Sequence, residues 1–319
     1  MKSLFDSRVH GFLIGTAVGD AMGVPVEFTT RNFLKNKPVE GMRAYGTHHQ
    51  PAGTWSDDSA LTYQTIETLI QGLDYRTLAN RFLNWYLYGD WTAHGSVFDI
   101  GISTRNALDR LEQGVEPLKA GETSELCNGN GSLMRILPLA FYFHYQQPKL
   151  SLDERFAIVR NVSSLTHGHI RSVIACFVLV SFAQELLAGK EKVEAYRTIQ
   201  QSLGSFPEQI CSADECELFA RILKEDLIQL SEKEIYSSGY VLHSLEAALW
   251  SFLTTDTYSD AVLRAVNLAD DADTTGSVTG GLAGLYYGLE GIPVNWVQTL
   301  ARFEDIEDLA GRFTRFLHS

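Results

Sequence analysis

The chain has 319 residues, 45% of them apolar and 20% charged, which is enough to bury a large core and too apolar for a disordered segment. Its formal charge is −13, from 26 basic against 39 acidic side chains, and no basic cluster stands out, which argues against nucleic acid as a partner. Cys127, Cys176, Cys211 and Cys216 lie at no metal-binding spacing, so a reduced, cytoplasmic protein is expected.

At the N-terminus, MKSLFDSRVHGF breaks its apolar run with Asp6, Arg8 and His10 and does not read as a signal peptide. It leads into GFLIGTAVGDAMG, where Gly11, Gly15, Gly19 and Gly23 recur every fourth residue. A glycine inside a helix costs about 1 kcal/mol relative to alanine, so such a stripe implies a neighbouring helix lying in the groove the glycines leave. After a loop signalled between Lys35 and Gly53, the run Ser56, Asp57, Asp58, Ser59 opens an apolar helical segment through Leu61, Ile66 and Leu69. Taken alone, that cluster is usually a helix cap.

Leu78, Phe82, Trp85 and Tyr86 share one face of a helix starting near Tyr75, and Asp99 precedes another starting near Ser103. Beyond a loop from Leu118 to Gly131, the residues Asn128 to Ser132 precede an apolar segment from Leu133 to Phe143, predicted as a helix. Its small-residue entrance would offer backbone N–H groups to an anion. The longest apolar run, Val173 to Val180, reads as a buried helix and is too short to span a bilayer, which takes about 20 residues, so no membrane contact is expected. Another loop signal covers Gly204 to Cys211, and Leu242, Leu245, Ala248, Leu249 and Phe252 line a helix face after Gly239 and Tyr240.

The last informative stretch, NLADDADTTGSVTGGLAGLYYG, sets Asp270, Asp271 and Asp273 before a second glycine stripe at Gly276, Gly280, Gly284 and Gly288. On a helix, residues two apart point to nearly opposite sides, whereas in an extended segment they share a face. Asp271 and Asp273 are therefore predicted in a segment running into a helix that starts near Thr274 or Thr275. A plain N-cap role for Asp273 is the bland alternative. Strand-like alternation is almost absent, so the fold class is all-α: one compact multi-helix bundle of roughly a dozen helices, a single domain over residues 1–319. Both striped helices are expected at its centre, carrying acidic ends to a common point.

Like charges crowded in a partly buried place raise their own pKa values, and a divalent cation removes that conflict. The candidate ligands Ser56, Asp57, Asp58, Asp271, Asp273 and Thr274 are all oxygen donors, which suits Mg²⁺, Mn²⁺ or Ca²⁺ over Zn²⁺. Four carboxylates and two hydroxyls suit two ions sharing bridging groups at roughly 3.5–4 Å, hence a central dinuclear metal site.

In this order, GDAMGVPVEF, GTWSDDSAL, FDIGISTRNAL, NGNGSLMRILPLA, THGH, SGYVLHSLEAALW and LADDADTTGSVTGGLAGLYYG resemble the ADP-ribosylglycohydrolase family, and most of all its dinitrogenase-reductase-activating branch. The resemblance covers about Gly11 to Gly288. It implies an all-α fold, two Mg²⁺ or Mn²⁺ ions bound by the six residues just named, and hydrolysis of ADP-ribose from modified protein side chains, usually arginine. Ser56 stands where threonine is commoner, and Asp270 where glycine is common, with either a supporting role or plain exposure. The resemblance further implies Asp99 as the base, in a branch where ribose ring opening is proposed to precede loss of the guanidine, and Glu27 as an assistant near the metals. A cap on the helix near Ser103 is the other reading of Asp99. Gly129, Asn130, Gly131, Ser132 and Met134 would lie near the pyrophosphate and His167 would contact the ligand. Tyr240 would either line the adenine pocket or pack in the core.

The predicted function is therefore metal-dependent release of ADP-ribose from an ADP-ribosylated protein. Rival readings are a non-catalytic ADP-ribose-binding protein on the same fold, which retention of every expected ligand disfavours, and an immunity protein, which usually needs an added arm. A two-metal phosphohydrolase would normally include histidine among its ligands.

Overall fold

The computed structural model describes residues 3–204 and 210–319, so the centre of the loop signalled after Gly204 lies outside the described residues. Among these residues no strands pair into a sheet. Three isolated bridges occur, joining Tyr45 with Gln50, Glu122 with His167 and Gly129 with Tyr240. Eleven helices of nine residues or more carry the structure: α1 (Leu4–Gly23), α2 (Asp57–Gln71), α3 (Tyr75–Tyr88), α4 (Ile102–Glu112), α5 (Leu152–Ser164), α6 (Ile170–Leu187), α7 (Lys192–Leu203), α8 (Val241–Leu253), α9 (Tyr258–Val266), α10 (Ala272–Tyr287) and α11 (Phe303–His318). Five shorter α-helical pieces fill the connections, so the count exceeds the dozen expected.

Local signals explain most boundaries. Ser3 and Asp6 form a reciprocal capping box at the start of α1. Asp74 accepts from the Thr77 N–H at 2.7 Å to open α3, which closes at Gly89 with φ 75°. Leu78, Phe82 and Trp85 are buried, as are Leu242, Leu245, Ala248, Leu249 and Phe252 on α8 and all of Val173 to Val180 on α6. By length and composition alone, Leu4–Val26 and Ile170–Leu187 are apolar enough to cross a membrane, but 100% and 78% of their most apolar windows are buried inside the fold. All four cysteines are free thiols.

The centre is the antiparallel pairing of α1 with α10. A Cβ built on Gly11, Gly15 or Gly19 would stand 2.3, 2.4 and 2.0 Å from the carbonyl oxygens of Gly284, Gly280 and Gly276. Real Cβ atoms do not come that close, so the two backbones touch only because both stripes lack side chains. Each helix is the other's groove, and neither lies on the surface, as the stripes led us to expect. Tyr258 of α9 seals the seam, its hydroxyl donating to the Gly15 carbonyl at 2.8 Å.

One predicted helix begins five residues late, at Pro138, and continues from Phe141 into a π-helical turn over Tyr142–Gln146. Gly131 to Arg135 form successive turns, and the α-helix begins only at Pro138. Pro138 has no N–H to give the Met134 carbonyl, which accepts from Thr62 Oγ1 at 3.2 Å instead. The stretch after Asn128 therefore does not sit at a helix entrance, and the Asn130 N–H is donated to the Gly239 carbonyl at 3.1 Å.

Candidate active site

Helix α1 ends where α10 begins. A Cβ on Gly23 would lie 2.2 Å from the Cα of Asp273, so the last glycine of one stripe fixes the first turn of the other helix. Helix α2 is tied to the same point by Asp20, fully buried near the end of α1. The Asp20 carboxylate accepts from the Ser56 N–H at 2.9 Å, the Ser59 N–H at 3.1 Å and the Ser59 hydroxyl at 2.6 Å. The N-termini of α2 and α10 thus both point into one acidic pocket, where the positive ends of their dipoles oppose the local negative charge.

Residues 56–58 and 271–274 meet here. Ligand oxygens of Asp20, Asp58 and Asp273 lie within 4.8 Å of one another, and so do those of Glu27, Asp271 and Asp273. Ser56 caps α2, and its hydroxyl donates to Asp58 Oδ2 at 3.1 Å. Thr274 Oγ1 reaches the same oxygen at 3.4 Å, and Asn130 donates to Asp271 Oδ2 at 2.7 Å. Asp58 Oδ1 is buried with no hydrogen-bond partner.

The expected start of α10 is corrected by two residues. The helix begins at Ala272, with Asp271 at the N-cap (φ −87°, ψ 69°) and Asp273 inside the first turn. The two carboxylates converge because only one of them is helical, not because both are extended. Asp271 makes no side-chain capping bond, which leaves its carboxylate free to face the pocket. Ahead of it, Ala269 and Asp270 are consecutively left-handed, at φ 67° and 61°. Aspartate tolerates that region better than most side chains, which accounts for a non-glycine at position 270. The Asp270 side chain is exposed, while its backbone accepts from the Phe28 N–H at 2.6 Å and donates to the Thr29 carbonyl at 3.0 Å, holding this loop beside Glu27.

Burial sets the electrostatics. It pushes Asp20 up to about 6 and Glu27 up to about 7, and holds Asp57, Asp58 and Asp273 well above the ordinary carboxylate range, with the charges of their neighbours adding to the effect. Asp99 and Asp271 are raised by burial as well. Oxygen-only donors, mutual repulsion and the orphaned Asp58 Oδ1 together fit a hard divalent cation. Asp20 fits a ligand role less well, because both its oxygens are already occupied by donors from α2. It acts as the clamp that positions Ser56, Asp57 and Asp58.

The pocket opens into a cleft of about 550 Å³. Glu27, Asp57, Asp99, Asp271 and Thr274 line it, as do Gly129, Asn130, Gly131, Met134 and His167. Asp99 is not a helix cap, since Gly101 occupies that position at the start of α4. Gly131 is required by close approach: a Cβ there would stand 2.7 Å from Thr104 Oγ1 and 2.8 Å from the His167 ring. His167 is held neutral, its pKa pushed down to about 3 by burial and by the charge of Arg135. Its Nδ1 lies 2.9 Å from Thr166 Oγ1, which in turn accepts from Arg135 at 2.7 Å.

Five sequence-named residues are not part of the cleft lining: Ser56, Asp58 and Asp273 stand in the acidic pocket behind it, and Ser132 and Tyr240 pack elsewhere. Ser132 is fully buried, accepting from the Ser163 hydroxyl at 2.9 Å and lying 3.4 Å from Cys176 Sγ. Tyr240 packs under the Arg171 guanidinium, 5.8 Å from its ring centre, and edge-on to His243. Conversely, sequence reasoning passed over Asp20 and His48. The signal for Asp20 was a lone charge inside a glycine-striped apolar helix. His48, hydrogen-bonded through Nε2 to the Glu27 carboxylate, lay in a segment read only as a loop.

Comparison with known proteins shows the family and the fold. A family model described as ADP-ribosylglycohydrolase matches residues 1–318. The chain is 36% identical over 306 residues to an ADP-ribosylarginine hydrolase (Tri1) of Pseudomonas putida, covering 95% of this chain and 76% of that protein. It is 26% identical to the ADP-ribosyl-[dinitrogen reductase] glycohydrolase of Rhodospirillum rubrum, covering 92% and 90%. A solved structure titled ADP-ribosylglycohydrolase-related protein complex superposes with a TM-score of 0.79 at 32% identity, covering 99% of both chains.

Proposed function

The chain belongs to the ADP-ribosylglycohydrolase family of hydrolases, and from that premise we propose that it removes ADP-ribose from modified arginine side chains of a protein, working as one domain with two divalent ions, Mg²⁺ or Mn²⁺. The observation that carries this reading is the convergence of Asp57 and Asp58 with Asp271 and Asp273, around an orphaned buried oxygen, at the floor of a cleft large enough for a nucleotide.

Ser56, Asp57, Asp58, Asp271, Asp273 and Thr274 would hold the ions. Asp273 belongs to two of the three close groupings here, with Asp20 and Asp58 and with Glu27 and Asp271, and the third joins Glu27, His48 and Asp99. When bound, the ions offset the carboxylates' charge and supply Lewis-acid polarisation at the ribose. Cleavage of the N-glycosidic bond develops oxocarbenium-like charge, which the carboxylates around the reacting carbon stabilise. Asp99, half-buried on the cleft wall, accepts a proton from the water whose oxygen bonds to the anomeric carbon as the carbon–nitrogen bond breaks. Glu27, raised to about 7 and bonded to His48, can hold a proton near neutrality and return it to the leaving guanidine. Gly129, Asn130, Gly131, Met134 and neutral His167 shape the side of the cleft that takes the rest of the nucleotide.

The test is incubation with arginine-ADP-ribosylated protein, with and without Mg²⁺ and a chelator. Free ADP-ribose is expected with metal alone, and equal release in the chelator would remove the metal from the reading. Asp99→Asn is expected to bind ADP-ribose while stalling hydrolysis, and full activity would move the base to Glu27.

A further inference from the structure

Thirteen large apolar side chains are exposed among the described residues, and most are scattered, as on any soluble surface. Three of them meet at one opening. Phe28, Ile102 and Leu126 come from separate segments, are 66%, 79% and 95% exposed, and all line the acidic cleft. Ile102 is the first residue of α4, and Leu126 is carried by the turn before Asn128. Phe28 sits at φ 59° with its ring 6.1 Å from His48, so its backbone is held in a costly conformation that presents the ring outward.

This rim encloses a floor of carboxylates. Glu125, next to Leu126, is exposed and paired with Arg171 at 3.3 Å, and the chain as a whole carries −13. Resting on the arginine reading above, we propose that Phe28, Ile102 and Leu126 form a docking collar for the polypeptide around the modified arginine, and that this polypeptide is apolar and basic on either side of that residue. The argument is one of reach and charge. For the glycosidic bond to rest among the acids on the floor, the partner's backbone must come within one arginine side chain of it, which brings its flanking residues to the cleft mouth where Phe28, Ile102 and Leu126 are exposed. Apolar flanks would cover the collar, and basic flanks would complement the acidic surroundings. The collar makes the site select a protein over a free ADP-ribosylated amino acid.

The test uses metal-loaded protein and two substrates: free ADP-ribosyl-arginine and an arginine-ADP-ribosylated protein. The double variant Ile102→Ser, Leu126→Ser changes exposed side chains alone, and circular dichroism would verify its fold. Its kcat/KM on the modified protein is expected to fall about tenfold, mainly through KM, while turnover of free ADP-ribosyl-arginine stays within about twofold. In the reciprocal experiment, modified peptides with apolar and basic flanks should outcompete peptides with polar or acidic flanks on the unaltered protein and not on the variant. Equal losses on both substrates, or no loss on either, would overturn the collar. A wild-type protein inert toward both substrates would overturn the arginine reading, and the collar with it. Normal turnover of the free compound with no effect on the protein substrate would overturn the collar alone.

Discussion

The seam between α1 and α10 and the acidic pocket at its end are made by the same two helices and obey opposite physics. Along the seam, glycine faces glycine, carbonyl oxygens crowd the places where Cβ atoms would be, and stability comes from dense backbone contact. At the end, carboxylates are packed against carboxylates, their pKa values are raised by burial, and one oxygen has no partner. The first region is finished when the chain folds, whereas the second is complete only when something positive enters it. The rigid part thus holds the strained part in place, as a functional site requires.

That contrast can be broken first at the seam. Gly19→Ala places a methyl group 2.0 Å from the Gly276 carbonyl and is expected to cost about 3 kcal/mol or more, read as a lower urea midpoint or as insoluble expression. A midpoint equal to wild type would show that the helices can separate. Next comes the pocket: Asp58→Ala and Asp273→Asn should fold normally yet lose at least ~100-fold in kcat/KM, ~2.7 kcal/mol of transition-state stabilisation. If these variants keep their turnover, the proposed ligand roles are wrong.

A smaller effect follows from pH. Asp20 and Glu27 have folded-state pKa values of about 6 and 7 against ordinary values of 3.8 and 4.5. A carboxyl raised by folding contributes stability that is fully present below its unfolded pKa and lost as pH rises through the folded one. In chelator, thermal stability should therefore decline as pH climbs from the ordinary carboxylate range to about 7. Saturating Mg²⁺ should flatten that slope, and a slope unchanged by metal would uncouple the acids from the ion. The smallest expected change is Gly311→Ala on α11, where the nearest atom to the new methyl is Arg315 Nη1 at 3.6 Å. It should gain about 0.5–1 kcal/mol, the ordinary helix preference that the seam glycines forgo.

The sequence made the seam legible because glycine every fourth residue is costly unless something fills the groove, and it recurs in two places. The pocket was legible in its acids, since two Asp pairs with neighbouring hydroxyls stand before apolar helices. What it did not show depends on tertiary partners. Asp20 looks like a stray charge until the amides of Ser56 and Ser59 are seen to converge on it. Ser132 reads as part of a glycine-rich loop but turns inward to Ser163 and Cys176. Leu133 to Leu137 have the composition of a helix, yet Pro138 withholds the bond that would extend it back over Met134. The start of α10 was misjudged because periodicity cannot tell an N-cap from the residue before it.

The partners in the seam lie near opposite ends of the described chain. During synthesis, α1 must therefore wait with its apolar glycine face bare until nearly everything else has been made. Among the described residues, the glycines of α1 face those of α10, far along the chain. Folding is thus expected to close late and in one step, from a topology of high contact order. The newly made N-terminal segment is then the part of the molecule most in need of shielding from its neighbours.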